Sequence, residues 1–166
     1  MLTTLETLSD SARIWVYGAD RNLVAGAEKT LLSEVDNYLT TWTAHGVPLS
    51  AARHCSEHRF LMIAVDQDRA GASGCSIDGL FRTLKSLEPS IGTRILTSGL
   101  IFFRGKDGQI CSVTREEFTE LGATGEVDAD TEVFDLSVVS LGEWRARFAS
   151  RAADSWHSAL LTARAN

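Results

Sequence analysis

The chain has 166 residues, 44% of them hydrophobic and 23% charged, with a formal net charge of −6. That length buries enough surface to fold without a metal or a disulfide, and the acidic balance argues against a sequence-independent grip on DNA or RNA. Cys55, Cys75 and Cys111 show no C-x-x-C spacing, no apolar run approaches a membrane span, and residues 1–10 lack a signal-peptide pattern, so the expected setting is cytosolic with reduced thiols.

One domain over residues 1–166 is expected, with a strand–helix core over 13–113 and a helix–strand–helix extension over 114–166. After a polar lead-in, Arg13–Tyr17 is rich in aromatic and β-branched residues and predicts a strand. Val24, Ala27, Leu31, Val35, Tyr38, Leu39 and Trp42 recur at helical spacing, and the helix they predict stops at His45-Gly46, with Pro48 beyond. Leu49–Arg59 reads as a polar connection and Phe60–Val65 as a central strand ending at Asp66.

A small-residue loop then leads into a second helix from about Ser76 to Leu87, with Ile77, Leu80, Phe81 and Leu84 on one face and Pro89 and Gly92 ending it. Strands over Ile95–Phe103 and Gln109–Val113 are joined across Gly105–Gly108. Thr114 and Glu117 form a capping box that opens a short helix to Leu121. A turn over Val127–Thr131, a strand over Glu132–Val139 and helical character from Trp144 to Leu161 follow. The expected fold is α+β: a single mixed β-sheet of about five strands with helices packed on one face, the first elements resembling a ferredoxin-like core.

The strand–loop–helix around Ala70–Asp78 carries the main candidate site. A helix beginning there points free N–H groups and the positive end of its dipole at one spot. Cys75 sits at that spot, where the dipole favours the thiolate, the reactive form of cysteine. The candidate catalytic set is Cys75 as nucleophile, His45 or His157 as proton-transfer partner, and Asp66 or Asp154 to orient the histidine. Asp78, in the same first turn, opposes thiolate formation. Asp154 and His157, three apart, share a face if that segment is helical.

The candidate ligand-binding set is Ser73, Gly74, Ser76 and Asp78, with Arg69 and Arg82 flanking, and it suits a small anion. Plain structural readings stand beside these. Cys75 fits a packed strand-to-helix turn, and His45 fits a helix C-terminus. His54-Cys55-x-x-His58 has zinc-like spacing but no completing pair, so neither a metal nor another cofactor is expected. Arg145, Arg147, Arg151 and Arg164 make the C-terminal segment locally basic, a docking surface for a protein partner or a solvated face.

Trp42-Thr43-Ala44-His45-Gly46, Ala64-Val65-Asp66, Ala72-Ser73-Gly74-Cys75-Ser76-Ile77-Asp78, Thr131-Glu132-Val133-Phe134 and Ser155-Trp156-His157 together resemble a family of short bacterial proteins often labelled "ABC transporter ATPase". The resemblance runs over most of the chain and implies no established activity. The label fails on residues: a phosphate-binding loop needs Gly-x-x-x-x-Gly-Lys-Ser/Thr, and Gly71–Ser76 is too short, with cysteine where lysine belongs. Gly79 stands where the family has a small hydroxyl residue, and Arg147–Ala153 where it has a proline-bearing extended segment. Two functions remain open: a ligand-binding or thiol-dependent enzyme domain centred on Cys75, and a non-catalytic adaptor that docks a protein.

Overall fold

A computed structural model describes residues 1–162 of the chain; Arg164 of the basic segment lies outside the described residues. The protein is α+β. Its chain divides into two compact units, Met1–Thr97 with Ser137–Arg145, and Ser98–Leu136 with the residues from Ala146 onward. Residues 98–113 thereby group with 114–136.

In the first unit, β1 (Arg13–Gly18), β4 (Ala51–Ser56) and β5 (Phe60–Val65) form a sheet in the order β1-β5-β4. Both pairings are antiparallel, with Ile14 opposite Ala64 and Ala52 opposite the same residue. Every residue of β5 is buried, as its unbroken apolar run requires of a strand covered on both faces. On one face, Leu61, Ile63 and Val65 meet Leu31, Val35 and Leu39 of α1 (Ala25–Thr40) and Leu80 and Leu84 of α2 (Gly74–Ile91). On the other face, His54, opposite Met62, meets the edge of the Trp144 ring, centroids 5.2 Å apart.

The second unit holds β6 (Ile101–Arg104), β7 (Ile110–Val113), β8 (Glu132–Phe134) and β9 (Ala149–Arg151) in the antiparallel order β7-β6-β8-β9. α3 (Arg115–Thr124) begins at the Thr114/Glu117 capping box, with both reciprocal hydrogen bonds present, and buries Phe118 against Phe103. α5 (Ser158–Thr162) belongs to this unit as well, whereas α4 (Leu141–Arg147) starts within the first.

The expected single mixed sheet is corrected. Among the described residues the strands fall into three antiparallel sheets, the third being the two-residue strands β2 (Thr43–Ala44) and β3 (Val47–Pro48). β1 and β5 run antiparallel, so the parallel pairing of a ferredoxin-like core does not form between them. The 49–59 connection contains β4, whose half-buried Arg53, His54 and Cys55 hide its strand character. α2 runs through Pro89, at the loss of one intrahelical hydrogen bond, to a left-handed cap at Gly92. The Glu132–Val139 strand ends at Phe134, and the segment from Trp144 to Leu161 is broken by β9.

Candidate functional site

α1 ends at Thr40, and the chain turns through β2 and β3 in a two-residue hairpin rather than running on to Gly46. His45 and Gly46 have φ of +51° and +78°, the pair of left-handed residues that a type I′ hairpin turn demands. Gly46 therefore serves the hairpin, and His45 is an exposed turn residue, not a helix C-terminal one. The hairpin lies beside the start of α2, because Trp42, 3% exposed, donates its indole N–H to the Ser76 carbonyl at 2.9 Å. Tyr38, one helical turn earlier, donates its hydroxyl to the same carbonyl at 3.4 Å.

At the start of α2, Ser73 is the N-cap. Its Oγ accepts the Ser76 N–H at 3.3 Å, and Ser76 Oγ accepts the Ser73 N–H at 2.8 Å while donating to the Ser73 carbonyl at 2.8 Å. Serine thus fills the capping-box position usually held by Glu or Gln. Both hydroxyls are committed to the cap, which leaves neither placed as a nucleophile. Gly74 and Cys75 are the first two helical residues. A Cβ at Gly74 would meet nothing within 4 Å, so close packing does not require glycine there. Cys75 is exposed, so it is not a sealed packing residue.

Between the end of α1, the hairpin and α2 lies an open cleft of ≈ 780 Å³. Cys75 and His45 both line it, with Arg82 and Thr83 about two turns further along α2, and Tyr38, Trp42 and Thr43 on the opposite side. Ser73, Ser76 and Gly79 also contribute. Among the described residues no carboxylate lines the cleft, although Asp and Glu number 22 in the chain. Burial pushes the Tyr38 phenol above its ordinary value, opposed by the nearby Arg82 charge. No hydrogen bond joins Cys75 to His45 among the described residues.

The remaining expected residues serve other ends. Asp66 Oδ1 accepts the Asp68 N–H at 2.9 Å, an Asx turn that ends β5. Asp66 and Asp78 are both outside the cleft lining, and Asp78 is exposed. His157 belongs to the second unit and is 1% exposed. Its Nδ1 is 2.6 Å from Ser155 Oγ, its ring stacks on Trp156, and burial pushes it down to about 4. Asp154 does not orient it, being paired with Arg151. The basic C-terminal face is largely neutralised: Arg145 pairs with Asp10, Arg147 with the buried Asp135, and Arg151 with Asp130 as well as Asp154. His54 and Cys55 are adjacent on a strand and so face opposite sides of the sheet.

The residues that sequence reasoning missed are Tyr38 and Trp42, read only as the apolar face of α1, and Gly79. A Cβ at Gly79 would lie 2.5 Å from the Tyr38 hydroxyl, so glycine is what lets the phenol reach α2. The i, i+4 spacing of the two aromatics at the end of α1 was visible, but the carbonyl they share was not. No helix among the described residues is long and apolar enough to cross a membrane. Comparison with known protein families, with curated proteins and with solved structures finds no match to this chain.

Proposed function

We propose that the cleft between α1, the β2–β3 hairpin and α2 binds a small anionic substrate and that Cys75 is its nucleophile. In this reading the thiolate adds to an acyl carbon. His45 takes the thiol proton and returns it to the leaving group, and Arg82 with the first N–H groups of α2 holds the negative charge. The observation that carries the reading is the convergence of Cys75 and Arg82, from α2, with His45, from the β2–β3 hairpin, on one cleft that no carboxylate lines among the described residues. Folding alone does not demand that arrangement, since each residue has a separate local role.

The charge preference of the thiol tests it. Cys75 should favour iodoacetate, an anion, over neutral iodoacetamide several-fold more than a free cysteine does, and Arg82→Gln should abolish that preference. His45→Gln should slow both reagents. A reagent ratio equal to that of free cysteine, unmoved by Arg82→Gln, sinks the reading. A second reading, a non-catalytic docking domain, has one observation in its favour: Phe81 of α2 is 46% exposed. It predicts that Phe81→Ser abolishes partner capture while Cys75→Ser leaves it intact.

A further inference from the structure

The turn between β4 and β5 is both strained and tethered. Glu57 and His58 have φ of +56° and +53°, the left-handed region that side chains with a Cβ rarely occupy in succession. The Arg59 N–H closes the turn on the Ser56 carbonyl at 3.0 Å, and the Arg59 guanidinium anchors its far side to the Ala19 and Asp20 carbonyls at 2.8 and 2.9 Å. The near side is tied to α1 and to the segment before it: His58 Nδ1 is 2.5 Å from Glu28 Oε2 of α1, and the His58 carbonyl accepts the N–H of Leu23, just ahead of the helix, at 2.8 Å. Leu23, Glu28 and His58 border a second open groove of ≈ 700 Å³, together with Leu32, Asp36 and Arg53.

We propose that the β4–β5 turn is a pH-operated latch on this groove: protonated His58, bound to Glu28, holds the strained turn against α1, and loss of that proton releases it. The other charges facing His58 do not mask the effect. Glu57, on the turn itself, acts in the same sense as Glu28. Asp36 and Arg53 are tied to each other by two hydrogen bonds of 2.8 and 2.7 Å. Lys29, on α1, lines the same groove. Cys55, on the adjoining strand, stays a neutral thiol, because burial and Glu28 push it up to about 11. The Glu28 carboxylate raises His58 above its ordinary value. The latch is therefore fully closed below about 6.5 and opens as pH rises through the raised value. Arg59, anchored independently, confines the opening to residues 57 and 58.

Amide hydrogen exchange measured by NMR tests this, with β5 amides as internal reference so that the chemical dependence of exchange on pH cancels. In the unaltered protein, the relative protection of the Leu23 amide should fall roughly two- to five-fold between pH 5.5 and 8, the range an exposed ion pair supplies. Glu28→Gln should show low protection at both pH values, with no step. His58→Asn tolerates the left-handed backbone and does not titrate in this range, and it should be equally flat. A flat profile in the unaltered protein, or a step that persists in either variant, overturns the latch.

Discussion

Gly79 and Tyr38 make a contact whose energy can be isolated by a double-mutant cycle. Glycine in the middle of a helix costs roughly 0.5–1 kcal/mol relative to alanine, so Gly79→Ala should stabilise α2 by that amount if space allows. It does not, since the new Cβ would lie 2.5 Å from the Tyr38 hydroxyl. The ring carbon behind that hydroxyl is 3.7 Å away, an ordinary van der Waals distance. The hydroxyl alone is the obstacle, and Tyr38→Phe removes it without moving the ring.

Displacing the hydroxyl gives up its 3.4 Å bond to the Ser76 carbonyl, worth at most about 1 kcal/mol net. That carbonyl keeps the Trp42 indole as donor, so no buried acceptor is stranded. Gly79→Ala should therefore be close to neutral in the unaltered protein and stabilising by about 0.5–1 kcal/mol in the Tyr38→Phe background. The coupling between the two sites comes to about 0.5–1 kcal/mol. Urea unfolding of the four proteins, followed by circular dichroism at 222 nm, measures it. Equal stabilisation in both backgrounds, with coupling below about 0.3 kcal/mol, would refute the contact and with it the placement of Tyr38 at the cleft.

His157 gives a pH prediction. Burial holds it at about 4 in the folded chain, against about 6.5 unfolded. Its contribution is therefore present above pH 6.5 and is lost as pH falls from there toward 4. Between pH 7 and 5 the loss is about 2 kcal/mol. His157→Gln should flatten the dependence of unfolding free energy on pH by that amount, and an identical slope in the variant would show that the ring is not buried. The three thiols should alkylate in a defined order, read by peptide mapping. Exposed Cys75 should react first, and Cys55, half-buried and pushed up to about 11, should react last. Labelling of Cys75 only after denaturant is added would remove the thiol from the proposed chemistry.

How much of this was legible depends on how local each signal is. The Thr114/Glu117 capping box, the Gly105–Gly108 turn and the central β5 were readable because each is decided within a few residues. His45-Gly46 was equally local, yet it misled. A glycine after a helical run signals a left-handed residue, and both a helix C-cap and a type I′ turn consume one. What separates them is the second left-handed residue, His45, which a sequence does not announce because histidine is not a preferred turn former. β4 went unread for a different reason. Its edge position leaves Arg53, His54 and Cys55 half-buried, so the polar pattern of a connection and that of an edge strand coincide.

The candidate site shows the same boundary from the other side. Cys75 could be placed at a helix start from Ser73-Gly74 alone, because capping is a nearest-neighbour affair. That His45, and not His157, shares its cleft could not be read the same way. Both histidines have local explanations. The choice turns on where the chain goes after Thr40: the hairpin folds back beside α2, and the Trp42 indole locks it there through the Ser76 carbonyl. One hydrogen bond between residues 34 apart in sequence thus joins the end of α1 to the start of α2, beside which the hairpin carries His45. Trp42→Phe keeps an aromatic ring at the position and removes that bond. If the cleft depends on the bond as argued, this variant should loosen the Cys75–His45 arrangement. The effect of His45→Gln on Cys75 alkylation should then shrink toward nothing, while overall helix content is preserved. An undiminished effect of His45→Gln in the Trp42→Phe background would mean that the hairpin is held by something other than the indole, and the account of how the site is assembled would have to be rebuilt from the Tyr38 side.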